Sequence, residues 1–348
     1  VGGEVRRGGV TLDQVARVAG VSPATVSRVV NGTRNVDPAL QQIVMSAVKA
    51  TGYVPNRAAR SLVTRRSGTI ALVVSAASAD GFDDPFISRI LGDPFFGRVA
   101  AGALDLLRTN GLRLELLIAD DPATRNELTR RLALRDIDGA LVVSMNTRDP
   151  LCVQLASHHL PVVLLGPAAK SVGLTTVAAD NRAGGSLAAA QLLSRGRRRV
   201  GVIAGPSDAR GAAERTKGFL ATMARQGVED VAVVIGGYTV QTGEASMREL
   251  LAGRPDLDGL FAANDLMAQG ALHVLRDHDL HIPDQVAVVG FDDSRAATDA
   301  RPTLTTVRQP LEQMAAEMVR LLLQLIDDEA TPIRTTVFQP TLVVRASA

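Results

Sequence analysis

A single cysteine, Cys152, stands among 348 residues, so no internal disulfide can form and a reducing compartment such as the cytoplasm fits the chain. No apolar run is long enough to span a bilayer as a helix, and residues 1–9 (VGGEVRRGG) lack the apolar stretch of a secretory leader. No membrane partner is expected. Catalytic motifs are missing as well: there is no G-x-S-x-G elbow, no H-E-x-x-H and no P-loop. The run GVIAGPSDARG turns on glycine but lacks G-x-G-x-x-G spacing, which leaves a dehydrogenase without its phosphate turn. Cys152 with His158 and His159 suggests a thiol site, but a core cysteine beside a surface histidine pair is the simpler reading. The chain is therefore not expected to be an enzyme, and no cofactor or metal is expected. Aromatic residues are few: tryptophan is absent and the only tyrosines are Tyr53 and Tyr238. Lysine is confined to Lys49, Lys170 and Lys217, so basic charge here is almost all arginine.

What is present points to two or three soluble domains, with 46% hydrophobic and 21% charged residues over a length too great for one core. The net charge of +2 conceals a division. Residues 1–66 hold ten basic and three acidic side chains, a net +7, which leaves −5 for residues 67–348. A basic head on a mildly acidic body is the charge footprint of a nucleic-acid-binding module joined to something else. A solvated basic tail is the alternative, and pattern separates the two.

After the Gly-rich, aperiodic residues 1–9, which read as disordered, Leu12, Val15, Ala16 and Ala19 mark one face of a two-turn helix ended by Gly20. Ser22-Pro23 is an N-cap with proline at the first helical position. Val26, Val29 and Val30 form the inner side of a second short helix that stops near Asn31-Gly32. Two short helices joined by a glycine turn make a helix-turn-helix. Asp37-Pro38 opens a third helix, with Leu40, Ile43, Val44, Ala47 and Val48 as its expected core stripe and Gly52 as its end. Asn56 then caps a segment, Arg57 to Leu62, too short to be helical without a partner.

The run VTLDQVARVAGVSPATVSRVVNGTRNVDPALQQIVMSAVKATGYVPNRAARSL closely resembles the headpiece of LacI/GalR-type repressors over more than fifty positions. The resemblance implies double-stranded operator DNA as partner. It places Pro23, Ala24 and Arg28 where operator bases are discriminated, Thr25, Ser27, Asn31, Tyr53 and Asn56 at positions contacting the DNA backbone, and Thr11 with them in the DNA-binding set. Arg57 to Leu62 resembles the hinge helix, with Ala59 facing a second copy and Leu62 as an apolar wedge. Physics agrees with that last role: a leucine between base steps kinks DNA at a cost of a few kcal/mol, offset by added contacts. Leu62 as a core residue of the next domain is the alternative, opposed by the polar Thr64-Arg65-Arg66-Ser67 that follows.

From Thr69 onward, β-rich runs alternate with helical ones: 69–75, 112–118, 139–144, 161–165, 199–204, 231–235, 258–263 and 286–290 against Phe95–Asn110, Asn181–Ser194, Ala212–Gln226, Leu266–Asp279 and Pro310–Asp328. So many βα units in about 280 residues predict two doubly wound parallel-sheet subdomains. Such sheets bind ligands at the carboxyl ends of their strands, and polar residues gather at those ends: Ser75, Ser144, Asp180 with Asn181, Arg215, Asn264 with Asp265, and Asp292 with Asp293. Carboxylates, amides and a forked arginine suit a hydroxyl-rich ligand.

ANDLMAQGAL, VAVVGFDDS, LTTVRQP and TLVVR are similar to the same family's effector domain, of the periplasmic-binding-protein-like type. That likeness adds Tyr238, Phe95 and Phe96 to the effector set, the last two as a stacking face, and implies a sugar, with a purine as the alternative. It also implies a discontinuous layout. The expected boundaries are 10–55 for the helix-turn-helix domain and 56–67 for the hinge and linker. An effector domain at 68–348 would split into an N-subdomain (about 68–195 and 304–330) and a C-subdomain (about 196–303 and 331–348). Residues 76–92 exceed the usual loop length there, and offer Asp83, Asp84 and Phe86 to a pocket rim or lid. A homodimer reading a pseudo-palindrome is the expected assembly. An exported sugar-binding transport protein is the rival on the same fold, and the basic head argues against it.

Overall fold

A computed structural model describes residues 10–30, 36–53, 66–75, 90–144, 149–166, 173–328 and 330–348. It divides into a unit within residues 1–67 and a second from Gly68 to Ala348. The expectations on residues 1–9, on Asn31, Asn56, Arg57, Ala59 and Leu62, and on Asp83, Asp84 and Phe86 lie outside the described residues.

The first unit holds α1 (Leu12–Ala19), α2 (Pro23–Val30) and α3 (Pro38–Thr51). Each start is capped as its sequence dictates. Thr11 and Gln14 form a reciprocal capping box at α1, the Ser22 hydroxyl accepts the Thr25 N–H, and Asp37 accepts the Ala39 N–H. Gly20 and Gly52 end α1 and α3 in the left-handed region, at φ 65° and 66°. Val15, Ala16, Val26, Val44 and Ala47 make the core. The stripe expected along α3 is narrower than its sequence suggests, because Leu40 and Ile43 are 36% and 47% exposed. Two eight-residue helices cannot cover a fourteen-residue one along its whole length.

The second unit carries two six-stranded sheets. The first runs in the order β11 (Thr335–Phe338), β5 (Thr175–Ala179), β4 (Val162–Leu165), β3 (Gly139–Ser144), β1 (Thr69–Ser75), β2 (Arg113–Ala119), every pair parallel. The second runs β12 (Thr341–Val343), β10 (Thr305–Arg308), β9 (Ala287–Asp292), β8 (Gly259–Ala262), β6 (Val200–Ala204), β7 (Ala232–Ile235), with only β12 antiparallel to its neighbour. Buried clusters cover both faces of each sheet, as doubly wound folds require. β1 reads TIALVVS and is buried at every residue, the mark of a central parallel strand.

Helices α4 (Pro94–Thr109), α5 (Pro122–Ala133) and α6 (Pro150–Ser157) join strands of the first sheet. The second sheet is joined by α7 (Asn181–Ser194), α8 (Arg210–Arg225), α9 (Val240–Gly253), α10 (Asp265–Asp277) and α11 (Arg295–Asp299). The chain crosses between sheets three times: before α7, after β10 and between β11 and β12. This shifts the expected subdomain limits. Residues 181–195 belong to the second subdomain, because Ala188, Ala189 and Leu192 pack with Val200, Val202 and Phe219. β10 pairs with β9 and so also lies in the second sheet, whereas β11 pairs with β5 in the first. The final helix, α12 (Leu311–Asp327), returns to the first subdomain and buries Met314, Met318 and Leu322 beside Leu107 of α4.

Candidate functional site

A cleft opens where strands of both sheets end, with about 850 Å3 of space between its walls, open solvent at the mouth included. Ser144 ends β3, Asp292 ends β9, Asn264 follows β8 and Tyr238 follows β7. Parallel sheets aim their carboxyl ends at one crevice, so side chains far apart in sequence meet there.

Arg215 is the buried centre of the cleft. Its guanidinium lies 3.8 Å from the Phe291 ring centroid, donates from Nε to Asn181 Oδ1 at 2.8 Å, and donates from Nη1 to the Ala263 carbonyl. Nη1 also stands 3.7 Å from Asp292 Oδ1. Asp292 accepts a 2.6 Å bond from Gln309 Nε2. Burial pushes the Asp292 carboxyl up from its ordinary range, opposed chiefly by the Arg215 charge. Asn264 caps α10 by accepting the Met267 N–H at 2.9 Å and donates to the Tyr238 carbonyl at 3.1 Å. Tyr238 adopts φ 67°, and its buried hydroxyl is pushed up to about 12 by desolvation. Its ring abuts Gly205, where a Cβ would come within 2.6 Å of it; only glycine fits.

Of the nine effector residues expected from sequence, Phe95, Ser144, Arg215, Tyr238, Asn264 and Asp292 line the cleft. Ser75 is not among the lining residues; it is fully buried with its hydroxyl donating to the Ala119 carbonyl. Phe96 packs edge-on to Phe95, 5.3 Å between centroids, and leans on the first subdomain's core instead. Asp180 spends its carboxylate as the N-cap of α7, accepting the Ala183 N–H, and the adjacent Asn181 lines the cleft in its place.

Three further polar lining residues matter at the centre of the cleft: Gln309 and Asp93 escaped the sequence reading, and Asn181 is read there only as a polar residue at a strand end. Asn181 holds Arg215, Gln309 holds Asp292, and Asp93 faces both from the first subdomain. Asp93 caps α4 through the Phe95 N–H at 2.9 Å, and burial followed by the nearby Asp292 charge pushes its carboxyl up to about 7. The Asp93-Pro94 pair looks like an ordinary helix start in sequence. Gln309 sits in the LTTVRQP run, which marks a crossover without showing that its amide turns inward. Among the described residues no cluster suited to a metal ion occurs, and no helix is long and apolar enough to cross a membrane.

On the first unit, Pro23, Ala24 and Arg28 are exposed on α2, and Thr25 and Ser27 are half-buried beside them. Thr11 is exposed at the α1 cap, while Tyr53 rests against the small core. The polar face of α2 is therefore open to a partner.

Comparison with known proteins agrees with both halves. The model for bacterial regulatory proteins of the lacI family matches residues 11–56, and that for a periplasmic binding protein-like domain matches residues 189–348. The HTH-type transcriptional regulator CelR of Thermobifida fusca is 40% identical over 98% of this chain and 99% of its own length. The HTH-type transcriptional regulator GalR of Escherichia coli (strain K12) is 33% identical over 97% of this chain and 95% of its own. Among solved structures, a transcriptional regulator CelR–cellobiose complex superposes with a TM-score of 0.75 at 37% identity, covering 97% of this chain and 100% of that one. A lac repressor dimer bound to operator and the anti-inducer ONPF shares the fold, with a TM-score of 0.79 at 24% identity over 98% and 99% of the two chains. These relatives are regulators of transcription. A helix-turn-helix head, two doubly wound sheets around a polar cleft, and relatedness over nearly the whole length together make this chain a transcriptional regulator of the LacI family.

Proposed function

We propose that the protein is a repressor that binds a pseudo-palindromic operator as a homodimer and changes its operator affinity when a sugar occupies the cleft. The observation that carries the sugar reading is the convergence of Arg215, Asp292, Asn181, Asn264 and Gln309 with the Phe95 ring in one cleft. Amides and a carboxylate give and take hydrogen bonds with hydroxyls, and an aromatic face suits the C–H side of a pyranose. The bound cellobiose of the CelR structure makes that sugar the first probe. A purine is the competing ligand, since the same ring and amides could hold a base.

On the DNA side, Arg28 offers a bidentate pair to guanine, and Pro23 and Ala24 supply the close apolar edge beside it. Thr11, Thr25, Ser27 and Tyr53 hold phosphates, as do Asn31 and Asn56 by resemblance. Arg57, Ala59 and Leu62 serve the hinge. A two-fold protein imposes two-fold symmetry on its site. A DNA target makes the cytoplasm the place of work.

The test is a gel shift of the full chain on two-fold symmetric duplexes selected from a random pool, at fixed salt, with and without cellobiose. Preference for a symmetric site, altered by the sugar, supports the reading. Equal affinity for all duplexes rejects it. In the same assay, Arg28→Ala should cost about 1–3 kcal/mol on the selected site and relax discrimination at one base pair. A uniform loss on every sequence would make Arg28 a phosphate contact.

A further inference from the structure

Arg98 belongs to α4, whose Val99, Ala103 and Leu107 lie in the first subdomain's core. Its own hydrogen-bond partners lie beyond that helix. Nε and Nη2 grip both carboxylate oxygens of Glu312, at 2.7 and 2.9 Å, in the first turn of α12. Nη1 donates to the main-chain carbonyl of Asp292 at 2.7 Å, where β9 ends, and Nη2 reaches the Gln309 carbonyl at 3.2 Å, where the chain leaves the second sheet. One guanidinium thus joins a helix of the first subdomain to two points on the second.

Both points govern the same cleft group. Asp292 holds φ 107°, a conformation that a residue with a Cβ keeps only when its surroundings fix it. Gln309, whose carbonyl Arg98 holds, grips the Asp292 carboxylate with its side chain. The platform is stiff: one turn beyond Arg98, a Cβ on Gly102 would lie 2.5 Å from the Glu312 carbonyl, so α4 and the start of α12 touch backbone to backbone. The plainer reading is a rim ion pair between Arg98 and the half-exposed Glu312, which would contribute little. It leaves the two carbonyl bonds without a role.

We propose that Arg98 is a positioning residue for effector recognition, holding Asp292 in its cleft-facing conformation and tying that hold to the approach of the two subdomains. The inference rests on the cleft being the effector site.

Four full-length variants test it: Arg98→Met, Arg98→Lys, Glu312→Gln, and the swap Arg98→Glu with Glu312→Arg. Thermal melts show which of them fold, and cellobiose affinity is measured by calorimetry. Arg98→Met should weaken cellobiose about tenfold or more, as expected for losing charge-assisted hydrogen bonds. Glu312→Gln should cost roughly threefold or less, because the carbonyl bonds remain. The swap should restore thermal stability without restoring affinity. Arg98→Lys, which keeps the charge but not the fork, gives the same reading should the Met variant not fold. Recovery of affinity by the swap, or Arg98→Met binding within about twofold of the parent, overturns the proposal in favour of the bare ion pair.

A parent protein that binds no cellobiose removes that sugar from the functional reading and leaves Arg98 to hydrogen exchange on the unliganded chain. Faster exchange at residues 291–295 in both Arg98→Met and the swap, with residues 140–144 unchanged, supports it. Parent-like exchange at 291–295 in either overturns it.

Discussion

Asp265 is a carboxyl shut inside the second subdomain, accepting 2.6 Å from the Thr306 hydroxyl and 2.7 Å from the Ser294 N–H. Burial, with Asp292 nearby, pushes it up to about 8, and Asp93 in the cleft is pushed up to about 7. Unfolded, both would titrate near about 4. Between about pH 4 and 8 the folded protein therefore holds protons that the unfolded chain releases, so stability falls as pH rises through that window. Asp265→Asn should flatten the fall, since an amide can still accept from Ser294 and donate to Thr306. Melts from pH 5 to 9 decide it: a slope as steep as the parent's would reject the assignment to Asp265. Arg215→Ala should abolish a cellobiose-induced thermal shift and leave operator binding intact, because the side chain works only in the cleft. A mutant that still shifts would sink the cleft as effector site. Asn264 and Asp292 were legible because strand ends in a doubly wound sheet aim at one place, whereas Arg215 reaches the cleft from the second turn of α8. Asp180 misled for a physical reason: an aspartate at an N-cap spends its oxygens on the helix, and the neighbouring Asn181 is the one left facing the cleft.

At the scale of elements, strands with an apolar run of their own declared themselves, the four-residue β4, β7 and β8 included, and strands without one did not. β1, β3 and α7 fall where their sequences place them. β10 (TTVR), β11 (TTVF) and β12 (TLV) are short and threonine-bearing, without such a run, and their positions come from pairing with strands distant in sequence. Close helix contact was equally hidden. A Cβ on Gly185 would lie within 1.9 Å of the Arg215 carbonyl, and one on Gly218 within 2.0 Å of the Arg182 carbonyl, so α7 and α8 touch along their glycines. Gly185→Ala must push these helices apart and carry Arg215 with them. It should cost about 1–3 kcal/mol or more through overpacking and weaken effector binding at the same time. Gly97→Ala on α4 is the control: nothing lies within 4 Å of its Cβ, so the helix should gain roughly 0.5–1 kcal/mol. Denaturant melts of the pair check this, and a Gly185→Ala protein as stable as the parent would show that α7 and α8 can separate freely.

The whole molecule is organised by its three crossings. A chain that passes from the first sheet to the second before α7, returns after β10 and crosses again before β12 leaves two subdomains connected by three strands of backbone, with the cleft between them. Their existence was legible from alternating β and α runs, and LTTVRQP flagged the return after β10, but the other two crossing points were not legible, because strand membership depends on partners and not on local pattern. A ligand touching both sides binds one relative placement of the subdomains better than another, and only that difference can alter a distant activity. If the sugar in the cleft changes operator affinity by some factor, operator DNA must change sugar affinity by the same factor. For a coupling of about 1–3 kcal/mol the factor lies between about 5 and 150, well within calorimetric reach. Cellobiose affinity should therefore be measured on the free protein and on the protein saturated with its operator duplex. Operator affinity is measured in turn with and without saturating sugar. The two ratios should agree within error. Cleft affinity for sugar that is indifferent to operator, in a protein whose operator affinity does respond to sugar, would mean that the response comes from sugar bound at a second site, since reciprocity holds for whichever site is coupled to DNA.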